Sequence, residues 1–205
     1  MTALRAPPGR AGRMWLGRRL EIGRRGADVL TRKRRALVRL EQTLSAEVSL
    51  AEAAWEDAAR DAFSWASRAA VVSGERRLAL ASLYAPTPLR AHVAWSSALG
   101  LVYPTSCELA PEPSTGLGAV GGSSATLIAS QAHRTALELG ARYAVFRTAH
   151  ERVVAELAQV AVRVRAIERR WIPAHEAALA HLEVVLDETE REDAVRFRRV
   201  RRRSG

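Results

Sequence analysis

Lysine is almost missing from this chain: Lys33 is the only one, so 31 of the 32 cations in 205 residues are arginine. Cysteine is as scarce. Cys107 stands alone, which excludes an internal disulfide framework and a cysteine-built zinc site. Aromatic residues make up only 5%, whereas alanine occurs 39 times. A compact single core needs more bulk than that, so long helices packed through small side chains are expected. No run approaches the ~18 apolar residues of a membrane-spanning helix. The basic N-terminus lacks the apolar stretch of a signal peptide, which predicts a chain that stays in the cytoplasm.

Catalytic signatures are missing too. His92, His133, His150, His175 and His181 form no HExxH, and His175 and His181 are six apart, so they do not share a helix face at metal-ligand spacing. No GxxxxGK[ST] occurs, and Gly116, Gly118, Gly121 and Gly122 resemble a phosphate loop only in composition. The carboxylates between Asp187 and Asp193 lie beside arginines and read as a solvated ion-pair face. The expectation is a non-enzyme with no catalytic residues, cofactor or metal.

What is present is a charge gradient. Residues 1–40 hold 12 cations and two acids, residues 41–190 hold 13 and 18, and residues 191–205 hold seven and two. Two basic ends flank a mildly acidic body, and such ends seek an anionic partner.

Glycine and proline cluster in the middle. Five of the eight prolines and six of the 13 glycines fall within 74–124. This divides the chain into an N-terminal long helix (1–73), an irregular connector (74–124) and a C-terminal long helix (125–205). The first helix should run from about Arg13 to Val72. Its stripe reads Leu37, Glu41, Leu44, Val48, Ala51, Trp55, Ala58, Ala62, Trp65, Ala69 and Val72, in steps of four and three, with Glu41 its one polar member. Carried backwards it passes Arg34, Leu30, Ala27, Gly23 and Leu20. The second helix should run from about Ser124 to Arg202. Its stripe reads Leu139, Tyr143, Phe146, His150, Val153, Leu157, Val160, Val164, Ile167, Trp171, Ala174 and Ala178, with only His150 polar.

A sustained four–three alternation is the mark of a left-handed coiled coil. Two such seams in one chain predict an all-α fold: a long antiparallel two-helix coiled coil, a rod with helices of ~90 to ~115 Å. Ala91–Trp95, Leu101–Tyr103 and Leu117–Val120 are strand-like, so a short hairpin is expected between Leu89 and Ile128. Trp55, Trp65 and Trp171 read as packing anchors.

Two blocks carry a resemblance. One runs from Arg19 to Leu37, as RLEIGRRGADVLTRKRRAL. The other runs from Arg163 to Ala174, as RVRAIERRWIPA, and continues from Leu186 to Val200, as LDETEREDAVRFRRV. In that order and at that distance they resemble the D subunit of the V-type (A-type) ATPases and ATP synthases, over about 70 residues at the two ends. The positions that carry the pattern are Gly26, Leu30, Lys33, Arg34, Glu168, Ile172, Pro173, Glu190, Arg191 and Glu192. Arg165 stands where the family commonly has asparagine. Gly23 stands where a small non-glycine residue is usual, at an expected cost of ~1 kcal/mol of helix stability against alanine.

The resemblance implies a central-stalk rotor shaft. Both termini would form a tip inside the ring of alternating A and B subunits. The F subunit would bind the side of the shaft, and the lower end would sit in the funnel-shaped subunit (C/d) over the membrane ring. The complex would be membrane-bound, with this chain peripheral on its cytoplasmic side. Arg13, Arg18, Arg19, Arg24 and Arg25 would share the tip with Arg196, Arg198, Arg199, Arg201 and Arg202. An Ile172-Pro173 pair is also usual there, so a slight kink is expected. An arginine-rich nucleic-acid-binding coiled coil explains the charge equally well, but not the acidic body or the paired motifs.

Overall fold

The computed structural model describes residues 7–77, 79, 89–111 and 123–203. Helix α1 spans Gly9–Ser73 in 65 residues, free of proline throughout. It stops because Gly74 takes a left-handed φ of 77° and donates its N–H to Ala70 O at 2.9 Å, an αL cap. Strands β1 (Leu89–Ala98) and β2 (Leu101–Pro111) follow. Helix α2 spans Ser124–Ala166 and is capped by Ser123, whose Oγ accepts from Thr126 N–H at 3.3 Å. A five-residue π turn, Ile167–Trp171, leads into α3, Ile172–Arg203. The fold is all-α with a small antiparallel sheet inserted between the long helices.

The chain divides into two compact units, Met1–Ala36 with Ala158–Gly205 and Leu37–Leu157. In the first unit the helices run antiparallel: Gly12 of α1 lies beside Leu182, and Gly23 beside Trp171. Its buried residues include Leu16, Leu20 and Ala27 from α1 and Val160, Val164 and His175 from the opposite strand of helix.

Pro173 is accommodated in this unit without a break. The Ile172 N–H bonds Ile167 O, five residues back, so the preceding turn is widened. A wider turn leaves room for a ring that would otherwise meet the carbonyl four residues before it. The expected kink thus takes the form of a π turn. An extra residue in the turn moves the inward face on by one. Beyond it His175 is buried and Leu179, Leu182 and Leu186 are half-covered, while Ala174, a stripe position in the sequence, is exposed.

The second unit is also antiparallel. His150 meets Glu41, Tyr143 meets Glu52, and Thr126 meets Ser73. Its core is Leu37, Leu44, Ala51, Ala62 and Ala69 against Ala129, Ala136, Val145, Ala149 and Val153. Alanine dominates, so the helices approach closely and little bulk is needed to fill the seam.

The hairpin pairs Leu89 with Pro111 through to Ala98 with Leu101. Its two-residue turn, Leu99-Gly100, has φ of 56° and 77°, the positive values a right-twisted hairpin favours. Thr105 is left over between the Ala94–Ser106 and Trp95–Pro104 pairs as a bulge, and its Oγ1 donates to Ala94 O at 3.3 Å. Leu117–Val120 lies outside the described residues, and Ile128 belongs to α2 rather than to the hairpin region.

Arg152 of α2 ties the hairpin down. It donates to Val102 O at 3.2 Å and stands 5.1 Å from the Trp95 ring centre. Arg152→Ala removes both attachments, so hairpin amides should exchange hydrogen about tenfold faster while helix amides keep their protection. Hydrogen–deuterium exchange read peptide by peptide checks this. Unchanged hairpin protection would show that other contacts hold it.

Candidate partner-binding surfaces

The basic ends build one surface in the first unit, but not as a single cluster. Arg10 bridges to Glu190 at 2.8 Å and Arg24 to Glu176 at 2.7 Å. These contacts set Arg13, Arg18, Arg19, Arg24 and Arg25 level with residues of about 175–187. Arg196, Arg198, Arg199, Arg201 and Arg202 lie further along α3, past the start of α1, and every residue from 187 to 202 is exposed. The two arginine sets therefore form successive bands along the unit, in place of the shared tip expected from sequence.

The bands differ in how firmly they are held. Arg25 pairs with Glu21 of its own helix, and Arg19 lies 4.7 Å from the Trp15 ring centre and 6.0 Å from that of Trp171. Arg196 is near Glu192 at 3.6 Å and Asp193 at 3.8 Å, and Arg191 near Glu188 at 3.7 Å. Arg13, Arg18, Arg198, Arg199 and Arg202 make no ion pair among the described residues, and all are exposed. Val195, Phe197 and Val200 stand between the outer arginines, 47%, 76% and 65% exposed. A helix end with free guanidinium groups and uncovered apolar side chains is suited to an acidic, partly apolar partner surface.

Behind the inner band is a stack that sequence reasoning missed. Trp171 lies over His175, ring centres 3.8 Å apart, and His175 Nδ1–H donates to Trp171 O at 2.8 Å. His175 is 3% exposed, and its Nε2 has no hydrogen-bond partner among the described residues. Opposite the tryptophan is Gly23. A Cβ there would stand 2.8 Å from Trp171 Cε3 and Cη2. Gly23 is thus the socket for the ring and not a weak point of the helix. The second unit repeats the device with the helices exchanged. Trp55 of α1 lies over Gly140 of α2, where a Cβ would stand 2.9 Å from Trp55 Nε1, and stacks on Tyr143 at 5.4 Å. Each large ring facing a glycine was the available signal.

Of the seam positions, Leu37, Leu44, Val153 and Val164 are buried. Val48, Phe146, Leu157, Ile167 and Trp171 are half-covered, and Trp55 keeps 36% exposure. Of the motif positions, Gly26, Leu30, Lys33 and Ile172 are half-covered, whereas Arg34, Glu168, Pro173, Glu190, Arg191 and Glu192 are exposed.

Two clefts remain. One of about 400 Å³ in the second unit lies between β2 and α2, with Cys107, Glu138, Arg142 and Phe146 in its lining. One of about 250 Å³ in the first unit lies at the π turn, lined by Val162, Arg165, Ala166, Arg169 and Arg170. The first has Cys107 and Glu138 in one lining, but no hydrogen bond joins them among the described residues and Glu138 lies 3.6 Å from Arg134, while the second is lined by arginine, alanine and valine alone. Among the described residues no group of histidine, cysteine and carboxylate side chains could hold a metal, and no helix is long and apolar enough to cross a membrane. Hydrogen bonds from Arg147 to Glu151 and Tyr143 hold its guanidinium above the usual arginine range, so it stays charged at every working pH.

Comparison with known proteins gives a consistent result. A family model for the D subunit of ATP synthase matches residues 14–202. The V-type ATP synthase D subunit of Thermus thermophilus is 31% identical over 190 residues, spanning 89% of this chain and 81% of that protein. The V-type ATP synthase D subunit of Anaeromyxobacter sp. (strain Fw109-5) is 29% identical over 204 residues, spanning 97% and 94%.

Proposed function

Because the chain belongs to the family of ATP synthase D subunits, we propose that it is the central-stalk rotor subunit of a V-type rotary ATPase or ATP synthase, carrying torque between the catalytic A/B ring and the ion-translocating ring. It takes no part in the chemistry of ATP itself. Its partners are the A and B subunits around the arginine bands, the F subunit on the side of the helical pair, and the funnel-shaped subunit over the membrane ring. It works on the cytoplasmic side of the membrane as a peripheral component of the complex.

The observation that carries this reading is the outer band: Arg198, Arg199 and Arg202 exposed beside Phe197 and Val200 on a helix end that extends past its partner helix. A turning shaft needs attraction without interlocking. Exposed guanidinium–carboxylate pairs are individually worth only ~0–1 kcal/mol, so no single angle becomes a trap. The helical pairs supply the stiffness, because bending them separates packed side chains.

Reversing the outer band to glutamate (Arg196, Arg198, Arg199 and Arg202 together) in the assembled complex should leave ATP hydrolysis by the A/B ring measurable and cut ATP-driven ion pumping severalfold. Pumping that keeps its full ratio to hydrolysis would overturn the reading. The unmodified chain should assemble stably with the A, B and F subunits. Salt-sensitive retention on DNA without such assembly would instead favour a nucleic-acid-binding coiled coil.

A further inference from the structure

Within the second unit the apolar stripes of α1 and α2 each carry a single polar member, Glu41 and His150. The second unit sets the two against each other. His150 Nε2–H donates to Glu41 Oε1 at 3.1 Å, with the side chains 27% and 28% exposed. We propose that this pair is a register key, which acts with the Trp55–Gly140 socket to select one alignment of α2 against α1 among those that the small buried residues of the seam would accept.

The need for a key follows from the seam. Buried apolar residues recur at seven-residue spacing on α1 (Leu37, Leu44 and Ala51, then Ala62 and Ala69), and they face a set of alanines and valines on α2. Among these residues, sliding one helix by seven sets alanine and valine against alanine and leucine again, so the apolar contact that such a slide disturbs is the Trp55 ring over Gly140. Residues 74–123 separate α1 from α2, so no tight interhelix turn imposes an alignment.

The polar pair breaks this degeneracy. A slide of seven in one direction sets His150 against Val48 and Glu41 against Leu157. In the other it sets Glu41 against Tyr143 and His150 against the cationic Arg34. Each parts the carboxylate from the imidazole it meets now, in a half-covered seam. The other polar links across this unit are weaker discriminators. Tyr143 OH donates to Glu52 at 2.8 Å, and Ser73, Ser123 and Thr126 share hydroxyl contacts of 2.7 to 3.2 Å. Hydroxyls at partly exposed positions re-pair readily with water. Arg142 and Glu47 are 4.0 Å apart and well exposed, so water screens them.

The test uses the full chain with Cys107→Ser and spin labels on Gln42→Cys and Gln131→Cys, two exposed positions offset along the helices. One heptad of sliding changes that offset by ~10 Å. The parent should give one interspin distance by pulsed electron paramagnetic resonance. With Glu41→Leu and His150→Leu combined, we expect a melting temperature equal or higher and a second distance, shifted by about 10 Å, in a tenth of the molecules or more. Exchanging the partners (Glu41→His with His150→Glu) should restore the single distance. A single parental distance in the doubly apolar chain overturns the proposal, as does a second distance in the exchanged one. If the leucine variant does not fold, Glu41→Ala with His150→Ala is read the same way.

Discussion

Gly23→Ala should melt below the parent chain, although alanine is the better helix former. Propensity alone favours the alanine by about 1 kcal/mol. The added Cβ is fixed to the backbone and meets Trp171 Cε3 and Cη2 at 2.8 Å. The ring cannot swing clear, because His175 stacks on it at 3.8 Å and is itself tied to the Trp171 carbonyl. Overpacking of this kind costs about 1–3 kcal/mol, and the clash here belongs at the upper end, leaving a net loss of about 2 kcal/mol. That corresponds to roughly 4–8 °C in a chain of this size, read by circular dichroism. The sign should reverse once the ring is gone. In a Trp171→Ala background the same substitution should raise the melting temperature, since only the propensity gain remains. A rise in the parent would mean that Trp171 does not sit over Gly23.

Val153→Asp and Val154→Asp should differ by more than any other adjacent pair in α2. Val153 is completely buried, while Val154 is 42% exposed. An aspartate at 153 places a carboxylate in the core shared with Leu37 and Ala149, without a cationic partner, at a cost of several kcal/mol. That is a large share of the ~5–15 kcal/mol that holds a typical domain together, so the variant should be unfolded or nearly so at 37 °C. Val154→Asp should stay within about 0.5 kcal/mol of the parent. Similar losses at both positions would show that α2 turns a different face to α1.

Much of this is legible in the residues, and the reasons for the exceptions are specific. Proline and glycine placement locates the breaks, because both residues disrupt helices by backbone chemistry that neighbours rarely override. The α1 stripe is legible as far as Ala69: Leu20, Ala27, Leu37, Leu44, Ala51, Ala62 and Ala69 all lie on it and are buried, whereas Val72, its last position, is 67% exposed. On the second helix the heptad count slips twice. Near its middle, Val145 and Ala149 are more deeply covered than Phe146 and His150, since small residues go deepest where helices come close. After Trp171 the π turn moves the inward face by one residue, and nothing in a periodicity count shows a change of helix type. Gly23 reads as a weak point in the sequence because propensity is a property of one residue, whereas its value here depends on a tryptophan 148 positions away. The partner contacts are the least legible, since an exposed arginine carries no mark of what will meet it.

The π turn leaves one further consequence. Its five residues work as a dial between α2 and everything downstream. Deleting or inserting a single residue within Ile167–Trp171 would swing all of α3 through ~100°. The guanidinium groups of Arg196–Arg202 would then point in a new direction with no change in their own sequence, so indels here should be far less tolerated than substitutions of the surrounding exposed arginines.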